Sequence, residues 1–465
     1  MCSFLIAFTI LFSAFSSSLL ADGEEQKESN NQSSSLQNPV EGLLDPNPSG
    51  LPIPGAESYL IYDALSDTML IGYQYDMKRA PAAISQIMTV LLALENLELS
   101  DTITITKEMY ETIPEDYVRI GFSEGEVVTV EQCVYASLLK SANDACIALA
   151  IKISGSEDAF VDKMNQRAIE LGCTNTHFTN SYGLSDGENK TTCQDMSLIL
   201  KEALRHPDFS AISTCTSYTI DPTNTFNDRR VLNNANRFIS TPSTAYEYYI
   251  GGKTGYSAES GYTIIAGAEK DGRLLIGVFL GANDAENRYL ALSELFEYCF
   301  TNYTTTMIEE AELSGSVKSA TSQIENAISG TNLKISNSSL RLLEYYTIHT
   351  SVANGGYGNE IDFDGIVIDP QAKTQELNLP IYRTFSNNAS YKIGYLNVTI
   401  IDESRINEED ETVASKSDKK DTKEIIVTIL IVAGLTLLAG AAIFLFVKMV
   451  KKRKFNKNHR NPRIL

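Results

Sequence analysis

GGKTGYSAESGYTIIAGAEKDGRLLIGVFLGA, residues 251–282, decides how this chain folds. Residues 262–268 and 274–280 are apolar and rich in β-formers, and Lys270-Asp271-Gly272 separates them. That pattern predicts two strands joined by a tight hairpin. Downstream, residues 287–300 read as a helix. Upstream, SYLIYDA (58–64) and TMLIGYQYD (68–76) read as a second hairpin around Ser66-Asp67. Residues 83–97 are apolar on nearly every helical face, which predicts a central buried helix. Residues 130–154, 156–171 and 194–204 read as further helices. Helices interspersed with an antiparallel sheet predict an α/β (α+β) domain over residues 55–303.

The pattern changes on either side of this domain. Residues 308–401 carry short β-rich runs, clearest at 340–348, 361–368 and 392–401, and predict a small β-domain. Residues 22–54 are rich in Ser, Asn, Gln, Glu and Pro and read as a disordered spacer; residues 402–424 read as a charged stalk. Residues 425–447, IIVTILIVAGLTLLAGAAIFLFV, contain no charge. They are long enough to cross a bilayer as a single C-terminal transmembrane helix. Eight Lys or Arg and no acid follow in residues 448–465, so the positive-inside rule places this basic tail in the cytoplasm and the rest outside. Residues 1–21 resemble a secretory signal without a basic leading segment; cleavage near Ala21 and retention as an anchor both stay open.

The net charge of -21 conceals an asymmetry: removing the tail's eight positive charges leaves -29 (-21 - 8) on the remainder. That balance excludes nucleic acid as a partner, because phosphate binding needs a basic face. Seven cysteines (Cys2, Cys133, Cys146, Cys173, Cys193, Cys215, Cys299) and four histidines (His177, His206, His349, His459) show no metal-ligand spacing. No metal or cofactor is expected.

Two short motifs carry chemistry. Ser141-Ala142-Asn143 lies in LLKSANDACIALA (138–150), and Lys253-Thr254-Gly255 opens the segment quoted first. In acyl-serine enzymes that act on D-alanyl-D-alanine peptides and penicillins, such motifs line opposite walls of a cleft. A third element supplies a nucleophilic Ser and, three residues later on the same helical face, a basic Lys. With GEVVTVEQCVYASLLKSANDACIALA (125–150), SEDAFVDKMNQRAIELGCTNTHFTNSYGLSDG (156–187) and the β-rich segment that follows, the chain resembles the low-molecular-weight penicillin-binding proteins, the serine-type D-alanyl-D-alanine carboxypeptidases. The resemblance implies a penicillin-binding-protein/β-lactamase-like transpeptidase domain. It implies that Ser141, Asn143 and Lys253 belong to the catalytic cleft. It further implies that Lys253, Thr254, Gly255 and Arg288 hold a substrate carboxylate.

The third element departs from this pattern. The family reads P-A-S-x-x-K-I-M-T before an apolar helix; this chain reads PAAISQIMTVLLALE over 81–95. Ala83 therefore takes the nucleophile position and Gln86 the general-base position. Ser85 has Met88 three residues on and should turn away from the cleft, since two residues rotate a helix by about 200°. Lys78 is the nearest alternative amine, at no recognisable spacing. Gln86 and Ser141 are expected to face one another across the pocket. After Gly183-Leu184-Ser185-Asp186, the family's His-Tyr-Ser-Thr-Ala-like stretch has drifted to Asn189-Lys190-Thr191-Thr192-Cys193.

Three functions stay open on these residues. One is a pseudoenzyme on a bacterial cell membrane, bulk outside, binding peptidoglycan stem peptides or a cell-wall protein. The second is an active carboxypeptidase with a non-standard nucleophile. The third is a scaffold acting through its β-domain or tail.

Overall fold

The computed structural model describes residues 43–46, 48, 51, 55–386, 388–402 and 404–405. The signal, transmembrane and tail expectations lie outside these residues, as do most of the spacer and stalk. Two compact units are present. The first runs to Met307 and takes in Leu343–Ser351; the second comprises Ile308–Leu342 and the described residues from Val352.

In the first unit, β1 (Ala56–Asp63), β2 (Thr68–Tyr73), β3 (Tyr249–Ser257), β4 (Gly261–Lys270) and β5 (Arg273–Ala282) form one antiparallel sheet. Its order is β2-β1-β5-β4-β3. The β4–β5 turn is the expected hairpin: Lys270 pairs with Arg273, and Asp271 and Gly272 both hold positive φ, at 54° and 77°. Two consecutive left-handed residues are what a two-residue loop needs to follow the strand twist, and Asp-Gly supplies them cheaply.

Both faces of the central strands are buried, in alternation. Ile265, Ile276, Val278 and Leu280 pack into one apolar cluster, and Ile264, Ala266, Leu275 and Phe279 into the other. Helices α1 (Gln86–Asn96), α2 (Val130–Lys140), α3 (Asn143–Ser154), α4 (Glu157–Glu170), α5 (Cys193–Ala203) and α6 (Pro207–Ser213) contribute to the first cluster, and α7 (Asn287–Asn302) to the second. Every residue of α1 from Gln86 to Ala93 is buried, as its uninterrupted apolar sequence predicts.

The segment 130–154 is not one helix. Helix α2 starts on a capping box, with Thr129 accepting from the Gln132 amide while the Gln132 side chain returns to Thr129 N–H. It stops at Ser141, whose φ and ψ are 56° and 40°. That left-handed residue closes the helix, Asn143 N–H then bonds to Val118 O, and α3 begins. The helical periodicity on either side hid a break that a left-handed serine makes.

The second unit is built on a four-stranded antiparallel sheet. Its strands are β6 (Leu333–Leu342), β7 (Tyr357–Ile361), β8 (Thr374–Phe385) and β9 (Ser390–Asp402), in the order β6-β9-β8-β7. Helix α8 (Ser314–Ala327) accompanies it, an element the β-rich reading of this region did not include. The expected run 340–348 is divided. Leu340–Leu342 ends β6, whereas Tyr345–His349 pairs with Tyr303–Met307 and belongs to the first unit. Strand pattern specifies which side chains are buried, not which strand is the partner. The run 361–368 is strand only at Ile361.

Candidate active site

A cleft of about 840 Å³ opens in the first unit where the start of α1, the α2–α3 break and β3 meet. Ala83, Ser141, Asn143, Tyr182, Thr254, Gly255 and Arg288 are among its lining residues. Segments separated by more than a hundred residues are thus brought together as the two motifs implied.

Two glycines permit this approach. A Cβ on Gly255 would sit 2.7 Å from Ala83 N, and one on Gly183 (φ 91°) would sit 2.2 Å from Ala82 O. Neither backbone atom can move aside, so β3 and the 183 turn close on the Ala82–Ser85 turn only without side chains. Ala82 itself is left-handed, φ 51°. A non-glycine residue in that region is strained by about 1–2 kcal/mol, which the surrounding packing must hold in place.

At the start of α1 the cleft presents a methyl group. Ser85 is fully buried, donates to Ala82 O at 3.1 Å and is not among the lining residues, in keeping with its expected rotation away. Lys78 is exposed and does not line the cleft either.

Gln86 lies beneath the surface with no exposed area. Its Nε2 donates to Tyr182 O at 2.9 Å and to Asn143 Oδ1 at 3.0 Å, while its Oε1 is buried without a partner. The expected Gln86–Ser141 contact is therefore corrected. Ser141 instead receives a hydrogen bond from Lys253 Nζ at 2.5 Å. The left-handed turn aims Ser141 at β3, whereas Asn143, one step into α3, points back at α1.

Lys253 is 3% exposed, and no carboxylate is within ion-pair distance of it among the described residues. Burial pushes its ammonium down to about 8. Of the Lys-Thr-Gly motif, Thr254 and Gly255 line the cleft and Lys253 sits behind them. Arg288 also lines the cleft; its Nη1 donates to Gly255 O at 3.0 Å and Thr263 O at 2.9 Å, and its buried Nε has no partner. The guanidinium thus clamps the edge strand and adds positive charge to the carboxylate wall.

Other site residues were not singled out in the sequence. Asp144, buried next to Asn143, accepts backbone N–H groups of Ile120, Gly121 and Phe122. It thereby anchors the end of the loop carrying Tyr117 and Val118, which line the cleft. Its adjacency to the Ser-Ala-Asn motif was the only available signal. In the drifted stretch, Lys190 pairs with Glu259 at 2.6 Å, and Glu259 lines the rim. Away from the cleft, Glu95, Glu202 and His206 bring ligand-type atoms within 4.8 Å of one another. Arg167 already bridges the two carboxylates there, at 2.7 and 3.2 Å, and fills the place of a cation. The six described cysteines are free, five of them buried.

Comparison with known proteins adds the following. A family model described as D-alanyl-D-alanine carboxypeptidase matches residues 51–284. The D-alanyl-D-alanine carboxypeptidase DacF of Bacillus subtilis is 32% identical over 257 residues, 54% of this chain and 63% of its own length. DacC of Escherichia coli is 30% identical over 261 residues, 54% of this chain and 62% of its own length. The chain thus spans a little under two thirds of these two relatives. The carboxypeptidase of Streptomyces sp. strain K15 is 31% identical over 242 residues, 80% of its own length. In structure, the carboxypeptidase DacD of Francisella tularensis matches with a TM-score of 0.59 over 75% of this chain and 94% of its own, at 22% identity, a likeness of fold. The Streptomyces K15 DD-transpeptidase matches at a TM-score of 0.50 and 28% identity, over 54% of this chain and 98% of its own.

Proposed function

The chain belongs to the D-alanyl-D-alanine carboxypeptidase family, and on that premise we propose that it is a cell-wall pseudoenzyme that binds stem peptides, or a cell-wall protein presenting such a terminus, without hydrolysing them. One observation carries the reading: where the family's helix offers a hydroxyl and an amine three residues apart, this chain offers Ala83 and Gln86. A methyl group cannot attack a carbonyl, and a carboxamide is no base near neutral pH. Losing the nucleophile of a serine hydrolase removes on the order of 10⁶ in turnover. The binding walls remain: Thr254, Arg288 and the buried Lys253 favour a terminal carboxylate, and Asn143 a peptide group.

The location forms part of the same proposal. Residues 425–447 anchor the protein in a bacterial membrane by a single pass, with the catalytic-type domain outside and the basic tail in the cytoplasm. The support is the uncharged span and its basic flank.

The test is release of D-alanine from a D-alanyl-D-alanine-terminated pentapeptide. Purified protein should release none, and activity should need Ala83→Ser together with Gln86→Lys. Turnover by the unaltered chain would end this reading. A second reading, an active enzyme with a non-standard nucleophile, draws support from one contact, Ser141 Oγ at 2.5 Å from Lys253 Nζ. It requires a β-lactam adduct, mapped by mass spectrometry to Ser141 and abolished by Ser141→Ala.

A further inference from the structure

We infer that Gln86 is a positioning residue: it fixes the Asn143 carboxamide so that its N–H₂ faces the cleft and reads a ligand carbonyl. This rests on the receptor reading proposed above.

The argument begins at Tyr182 O, a backbone carbonyl and hence only an acceptor. It lies 2.9 Å from the Gln86 side chain, so Gln86 must present its nitrogen there. The same nitrogen is 3.0 Å from Asn143, so Asn143 must present its oxygen. With Oδ1 committed inward, Asn143 Nδ2 is directed the other way. It makes no hydrogen bond to any described residue, and Asn143 lines the cleft at 4% exposure. The two donors left to the cleft are those of a group that binds an acceptor.

This explains why glutamine, of all neutral residues, suits the position. A lysine ammonium would offer donors alone to the same two acceptors. Glutamine keeps donors at both contacts while discarding the base. The cost appears as its fully buried, unpartnered Oε1, the one part of a carboxamide that an ammonium lacks. A buried orphan acceptor costs about 1–3 kcal/mol, so the substitution has been retained against stability. What it preserves is the polarity of Asn143. The ligand group opposite is therefore an acceptor, the carbonyl of an amide or ester, and not a donor.

The test uses the full-length protein in detergent and two probes: a D-alanyl-D-alanine-terminated pentapeptide, and its analogue with the last amide carbonyl reduced to methylene. Unaltered protein and Gln86→Lys should bind the carbonyl probe at least tenfold more tightly than the reduced one. Gln86→Glu, which offers acceptors only, should lose that discrimination, as should Gln86→Met, which removes both donors should the glutamate variant fail to fold. In an Asn143→Ala background Gln86→Glu should change neither affinity further, a coupling that a merely structural role for Gln86 would not produce. Independently of ligand, the Asn143 side-chain N–H₂ should exchange freely with solvent and become protected in Gln86→Glu. Undiminished discrimination in Gln86→Glu and Gln86→Met, or a protected Asn143 amide in the unaltered protein, overturns the inference. A freely exchanging Asn143 amide with no peptide binding overturns the receptor reading instead, and with it the ligand-facing half of this one.

Discussion

Raising the pH should release a carboxylate-bearing ligand from the cleft, and Lys253 sets where. The residue is 3% exposed, its one hydrogen bond is to Ser141, and burial lowers its pKa from 10.5 to about 8. In the empty protein the charged fraction is therefore about 0.9 at pH 7 and about 0.1 at pH 9. A ligand carboxylate favours the ammonium, so the apparent affinity should fall about tenfold between those two values, and by a further factor of about ten by pH 10 while the bound state stays protonated. Stability moves in the opposite sense. Between pH 8 and 10.5 the unfolded chain holds more protons at this lysine than the folded one, so its contribution to stability rises with pH across that window and is least favourable below it. Calorimetric titration with the pentapeptide at pH 7, 8 and 9, on the unaltered protein and on Lys253→Met, separates this group from all others. The methionine variant should bind about 10–100-fold more weakly at pH 7, the worth of one charge-assisted hydrogen bond, and show no slope. Affinities that agree within twofold from pH 7 to 9, or an unchanged slope in Lys253→Met, would refute the reasoning.

Three further outcomes are expected. Glu126 and Arg230 form a two-pronged buried pair, at 2.7 and 3.0 Å, whose hydrogen bonds hold the Glu126 carboxyl below its usual range despite the opposing effect of burial. Glu126→Gln should cost about 3–5 kcal/mol in chemical denaturation, because it strands the guanidinium; an effect under 1 kcal/mol would show that the pair is idle. Gly255→Ala drives a methyl toward Ala83 N and should cost about 1–3 kcal/mol while abolishing peptide binding, read by thermal unfolding and titration; unchanged values would mean the strand edge can yield. Asp144→Ala frees three backbone N–H groups at 120–122 and should raise hydrogen exchange there before it alters the rest of the first unit; uniform protection would sink that assignment.

Several features were legible along the chain because they depend on neighbours in sequence. The 270–273 turn follows from Asp-Gly between two apolar runs, and the burial of α1 from eight consecutive residues without a polar face. The identities of Ala83 and Gln86 follow from reading PAAISQIMT in register. What the sequence could not convey was where each polar atom would end. The helical pattern of 130–154 continues across Ser141, yet the chain breaks there because one left-handed residue exchanges helical bonds for contacts to a distant loop. Gln86 was expected opposite Ser141. Folding instead pairs it with Asn143 and Tyr182, 57 and 96 residues away, and gives Ser141 to Lys253, 112 residues away. Tyr345–His349 likewise looked like any strand of the second unit until Tyr303–Met307 claimed it.

Sequence by itself determined that the hydroxyl and the amine are absent from the helix start, since covalent structure needs no folding to be read. Tertiary structure alone decided what the carboxamide does in their place. Hydrogen bonds act over about 3 Å, and only the folded chain brings residues 86, 143 and 182 within that distance.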